Sequence, residues 1–164
     1  LLTIASAGLS LVLDSVVISE DDPGLDGILL SADSVLTLRQ CDLQTGGDGL
    51  SISAGILRAE GTRLAHCHTN PTAPTEYPLL ISGGDALFEH CVLENLGYAG
   101  SGVHFSANPK SARLLQCSIR KASGAYAVSA GVACANASVV ACVLNAAIDS
   151  YIGVASGNTV ESSI

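Results

Sequence analysis

Leu36-Thr37-Leu38-Arg39-Gln40-Cys41-Asp42-Leu43 recurs in altered form along the chain. Its echoes are Ala86-Leu87-Phe88-Glu89-His90-Cys91-Val92-Leu93, Ala112-Arg113-Leu114-Leu115-Gln116-Cys117-Ser118-Ile119 and Ser138-Val139-Val140-Ala141-Cys142-Val143-Leu144. With Cys67 added, the cysteines of this frame are 26, 24, 26 and 25 residues apart. Each has an apolar residue three before it and an apolar residue or Thr two after it. Leu38, Cys41 and Leu43 make one such frame, and Leu64, Cys67 and Thr69 another. Val12, Ser15 and Val17 extend the series upstream with Ser in place of Cys. Self-similarity at such a step marks a solenoid.

A second column has the same period. Leu2-Thr3-Ile4, Ile28-Leu29-Leu30, Leu50-Ser51-Ile52, Leu79-Leu80-Ile81, Val103-His104-Phe105, Val132-Ala133-Cys134 and Ile152-Gly153-Val154 each read apolar, variable, apolar. Strict alternation over a few residues is a strand signal, and no stretch carries a helical apolar period. From Leu38 to Cys41 the apolar step is three, not two, which predicts a corner between short strands. Asp14, Gln40, His66, His90, Gln116 and Ala141 form the expected corner column. Five of the six are polar, as suits a bending backbone that needs side-chain hydrogen bonds.

These strand–corner–strand units, together with Asp26-Gly27-Ile28-Leu29-Leu30-Ser31 and Asp48-Gly49-Leu50-Ser51-Ile52-Ser53, resemble the right-handed parallel β-helix of the pectate-lyase-like superfamily. The resemblance covers nearly the whole chain. It implies an all-β solenoid of about six turns, with roughly 25 residues and three short strands per turn. The fold alone does not carry an activity. Residues 1–164 read as one β-helix domain. The first residue is not Met and residues 160–164 stop inside a turn, so a fragment of a longer chain is expected, with flanking turns or domains as neighbours.

Composition agrees. Hydrophobic residues make up 48% of the chain, yet aromatics only 4%, with no Trp or Met. Small and β-branched side chains suit a narrow bore. The net charge of −8 argues against nucleic acid, which needs clustered Lys and Arg. No apolar run approaches the roughly 20 residues of a spanning helix, so membrane insertion is not expected. Nothing in the sequence calls for a cofactor.

The cysteines first suggest disulfides or zinc, but closely spaced ligand pairs are missing. Stacked in one file, their β-carbons should lie about 4.8 Å apart on parallel vectors. A disulfide needs roughly 3.5–4.5 Å and vectors turned toward each other. A buried, reduced ladder of small hydrophobes is expected. Cys134 is expected in the other inward column, beside Ile52, Ile81 and Phe105.

Three surfaces offer chemistry. His66, His68 and His90 could hold zinc or copper. The alternative is a polar corner ladder shared with Gln40 and Gln116. The loops 19–27, 45–49, 70–78, 95–102, 121–131 and 145–151 carry all four tyrosines and many acids. Tyr77, Tyr98, Tyr126 and Tyr151, with Asp22 and Glu76, are the candidate ligand-binding residues of an edge suited to stacking on sugars and bonding their hydroxyls. Asp26 and Asp48 occupy equivalent Asp-Gly positions and are the candidate carboxylate pair for glycoside hydrolysis. Asp-Gly is also ordinary turn chemistry. The doubled Asp and Gly-His-Gly that the resemblance implies for hydrolases are matched only loosely by Glu20-Asp21-Asp22, and Gly-His-Gly is absent.

The first functional expectation is a non-catalytic structural or adhesive β-helix segment of a surface or secreted protein. Polysaccharide or surface glycan is its expected partner along the loop edge, and the cell surface or exterior its location. The second is a polysaccharide lyase or glycoside hydrolase acting at the acidic loops. The third is an intracellular protein-interaction scaffold.

Overall fold

A computed structural model describes residues 2–19, 27–66, 76–97, 100–124 and 126–161. The described residues form strands and turns with no helix. The strands cycle through three parallel sheets of seven strands each. Leu2–Ile4 opens the first sheet, Ser10–Asp14 the second and Val17–Ser19 the third. Every later strand pairs with its equivalent one turn on, so the chain is a parallel β-solenoid.

Alternation decides which side chains fill the bore. Leu57 and Ala59, from Ile56–Glu60, and Ala86 and Phe88, from Asp85–Glu89, point inward and are buried. Leu43, Leu64, Leu93, Ile119 and Leu144 stack along the third sheet. Volumes compensate between rungs. Phe88 lies beside Ala59, and Phe105 beside Ala130, so each ring occupies space that a small neighbour leaves.

The corner between the second and third sheets fixes the register. Ser15, Gln40, Gly61, His90, Gln116, Ala141 and Gly157 all have left-handed backbones, with φ between 50° and 66°. Only two of the seven are glycine, although this region disfavours other residues. Five full turns lie between Ser15 and Ala141, against the expected six. Their lengths are 25, 21, 29, 26 and 25 residues, and the next, to Gly157, is cut to 16.

Two corner expectations therefore shift. Ser15, not Asp14, turns the first corner, and Val16 takes the place aligned with Cys41. Gly61, not His66, turns the third, and Thr62 stands where Cys67 was expected. Leu64 pairs with Leu43 and Leu93 inside the third sheet, so it does not share the role of Leu38. Cys67 itself lies outside the described residues. Gln40, His90, Gln116 and Ala141 occupy the corners as expected.

Hydrogen-bond polarity explains what the residue after each corner must do. Corner N–H groups donate to the following turn: Gln40 to the carbonyl of Glu60, His90 to Leu115, Gln116 to Val140. Two residues later the direction reverses, and Arg63 donates back to Cys41 and Ser118 to Cys91. The residue between them has an N–H with no carbonyl to meet. A buried N–H needs a partner. Side chains of the next turn supply it: Cys41 N–H donates to Thr62 Oγ1 (3.3 Å), Cys117 N–H to Cys142 Sγ (3.4 Å) and Cys142 N–H to Asn158 Oδ1 (2.9 Å). The thiols donate in turn. Cys41 Sγ shares its proton between the carbonyls of Leu13 and Arg39, and Cys142 Sγ between Leu114 and Val140. Thr62 Oγ1 donates to the carbonyl of Glu60, the bond that Cys41 makes to Arg39.

Cys41, Cys91, Cys117, Cys134 and Cys142 are buried free thiols, and the first, second, third and fifth form the ladder. Cys134 differs from its expected place. Ala130 is beside Phe105, while Cys134 opens the second-sheet strand Cys134–Val140 and bonds the carbonyls of Val132 and Ala107. Likewise Val128-Ser129-Ala130 replaces Val132-Ala133-Cys134 in the first sheet, and Ile152–Ser156 belongs to the second.

Candidate functional site

The loops joining the third sheet to the first absorb the differences in turn length. The strands on either side hold them through a buried polar file. Thr45, His66 and Asn95 are aligned neighbours on successive turns, and all three are buried. Thr45 Oγ1 donates to the carbonyl of Gly47 (3.0 Å). His66 Nδ1 lies 3.2 Å from the same carbonyl, a contact that places the proton on Nδ1. Asn95 Nδ2 donates to the carbonyls of Glu76 and Ser101, and its Oδ1 accepts from the Gly97 N–H. Each side chain spends its polarity on loop backbone. Alternation marks these positions as inward, which is the signal that would have found them.

The metal triad does not assemble among the described residues. His66 sits inside the end of its third-sheet strand, while His90 is exposed at an outer corner. His68 lies outside the described residues. No described group of three His, Cys, Asp or Glu residues is arranged to hold a metal ion.

Asp48 is committed to the backbone. Its Oδ1 accepts the Tyr77 N–H at 2.7 Å, and the Gly27 N–H bonds its carbonyl. The adjoining Gly49 is required by a close approach, since a β-carbon there would fall 2.5 Å from the Pro78 carbonyl oxygen. Asp26 and Asp22 lie outside the described residues.

Tyr77 stacks on His104, with ring centroids 4.5 Å apart and planes inclined by 16°. His104 Nδ1 is 2.9 Å from Ser129 Oγ. Burial lowers the His104 pKa against the opposing charge of Asp149. Burial also raises that of Tyr77, helped by the Asp48 carboxylate. Glu76 is buried beside this pair in the chain. Tyr126 begins the first-sheet strand Tyr126–Ala130 and is half-buried. Tyr151 stands apart, 54% exposed between the first and second sheets, its N–H bonded to Asp149. Tyr98 lies outside the described residues. The edge thus brings Tyr77, Glu76 and Asp48 to one loop region and leaves Tyr151 on another corner.

Five of the seven basic residues, scattered in sequence, fall into two sets. On the third sheet Arg63 bridges Asp42 (3.0 Å) and Glu94 (3.2 Å), and Arg120 reaches Glu94 at 3.8 Å. On the outer face of the second sheet Arg58, Leu87 and Arg113 are aligned neighbours on three successive turns. Arg39, Glu60 and Glu89 form the adjacent file. Shallow hollows lie between these side chains. One is lined by Thr37, Arg39, Arg58, Glu60, Leu87 and Glu89. Another is lined in part by Ile56, Arg58, Asp85, Ser111 and Arg113. Sequence order hides this face, because only the pairing register brings the residues together. No protein-family model, curated protein or solved structure matches this chain.

Proposed function

We propose that the chain is a structural, adhesive β-solenoid segment of a surface or secreted protein, with a glycan-facing loop edge. The corner ladder carries this reading. Seven left-handed corners stand in one file, and after three of them the N–H of the next residue donates to a side chain of the following turn, joining those turns by side chains as well as by three sheets. Such a rod keeps whatever flanks it at a fixed separation, because each turn contacts only its neighbours. Three short strands and a repeated corner in each turn support the resemblance to the pectate-lyase-like cross-section. At the edge, Tyr77 is held by Asp48 through its N–H and braced on His104, so its ring is oriented before a sugar arrives.

Passage over immobilised neutral and uronic polysaccharides tests this. Retention on at least one polymer, whose chain length stays unchanged, is expected. New reducing ends or unsaturated products accumulating with time would establish a catalyst instead, and failure to be retained on any polymer would remove the adhesive role.

A further inference from the structure

The outer face of the second sheet bears a charge pattern that the rod does not use. Arg58 and Arg113 are two turns apart in one outward file, with half-buried Leu87 between them. At the strand spacing, two turns place their backbones about 9.6 Å apart. Neither they nor Arg39 makes an ion pair among the described residues, whereas Arg63 and Arg120 on the third sheet are both paired. Glu60 and Glu89 run alongside in the next file, and Asp85, two residues before Leu87 in the same strand, lies on its other side.

We propose that this face docks a mixed-charge polyproline-II segment of a protein partner, lying along the solenoid axis across the strands. A polyproline-II chain rises about 3.1 Å per residue with three residues per turn, so every third side chain shares one face at a spacing near 9.3 Å. Acidic residues at that interval meet Arg58 and Arg113. A basic residue between them projects toward Glu60 and Glu89. Leu87 offers an apolar step beneath the segment, between the two captured carboxylates. Arginine, with its planar fork, suits carboxylate capture at such an interface.

Two observations favour this occupant over a polysaccharide. The outward residues of Val35–Arg39, Ile56–Glu60, Asp85–Glu89 and Ser111–Leu115 include no aromatic ring for sugar stacking. A net charge of −8 also repels a plain polyanion at long range, while a mixed-charge segment escapes that penalty. The site is separate from the loop edge, so the two readings fail independently.

Fluorescence anisotropy with a labelled peptide of four Glu-Lys-Pro repeats tests it. Saturable binding that weakens with salt is expected. The exposed double variant Arg58→Gln/Arg113→Gln should bind about tenfold or more weakly. Arg120→Gln, on the other sheet, should bind as the parent does. A peptide of the same composition with its glutamates adjacent should also bind about tenfold more weakly. Thermal melts confirm that each variant is folded. Absence of binding, equal binding by the double variant or by the rearranged peptide, or competition by a labelled uronic oligosaccharide at the same arginines would each overturn the proposal.

Discussion

At the scale of the residue, the ladder cysteines are hydrogen-bonding groups as well as filler. Reading them as small hydrophobes captures their burial and their reduced state. It misses why sulfur recurs after the corner, where a side chain must accept one N–H and donate to carbonyls within a narrow bore. Cys, Thr and Asn all meet that demand, which is why Thr62 and Asn158 continue the file. The arrangement sets thiol acidity. At Cys117 the bond with Cys142 favours the thiolate, but the bond to Cys91 and burial outweigh it and push the thiol up to about 12 from 9.0. The bond to Cys117 and burial push Cys142 up as well. A raised native pKa means that the unfolded chain loses its proton first. The contribution is therefore fully present below pH 9 and is lost as pH rises through 9 toward 12. Urea midpoints measured from pH 7 to 11 should fall above pH 9, and less steeply in Cys142→Ser, which keeps the bonds and removes a titrating thiol. Equal slopes in both proteins would contradict this.

At the scale of the element, packing is a matter of complementary volumes in adjacent rungs. Leu38, Ala59, Phe88 and Leu114 follow one another in a single inward file of the second sheet. Phe88 is wholly buried, and three small residues, Ala59, Ala86 and Ala112, lie around it in the sheet. Truncation leaves a void that rigid backbone ladders cannot close. Phe88→Ala should cost about 3–5 kcal/mol in chemical denaturation; a loss below about 1 kcal/mol would show that the file is packed differently. Alternation made the inward face of most first-sheet strands legible, from Leu2–Ile4 to Val103–Phe105. It misled near the end of the chain. Val132-Ala133-Cys134 and Ile152-Gly153-Val154 alternate well, but an apolar, variable, apolar string fits either sheet. For Ile152-Gly153-Val154 the cause is the shortened last turn, whose first-sheet strand is only Ala147–Ile148; for Val132-Ala133-Cys134, Tyr126–Ala130 already fills the first sheet in a turn of full length.

At the scale of the whole molecule, the sequence repeat is real, and one of its steps is a coincidence. The two turns between Gln40 and His90 are 21 and 29 residues long, one with a short loop and one with a long one. Cys67 falls near the middle of that interval and so imitates an even period. Loop length varies freely because strand pairing does not depend on it, and periodicity alone could not tell Cys67 from Thr62. The same register aligns Arg58 with Arg113 and separates His66 from His90, relations that spacing in sequence conceals. The fold class was thus legible from the cysteine frames, while the surfaces followed only from the corners. Replacement of Thr62 by its near-isostere Val tests that register most directly. With Thr62 in the ladder, Thr62→Val strands the buried Cys41 N–H and should lose about 1–3 kcal/mol of unfolding free energy, while Thr62→Cys, which restores an acceptor, stays close to the parent. A Thr62→Val protein as stable as the parent would contradict the register.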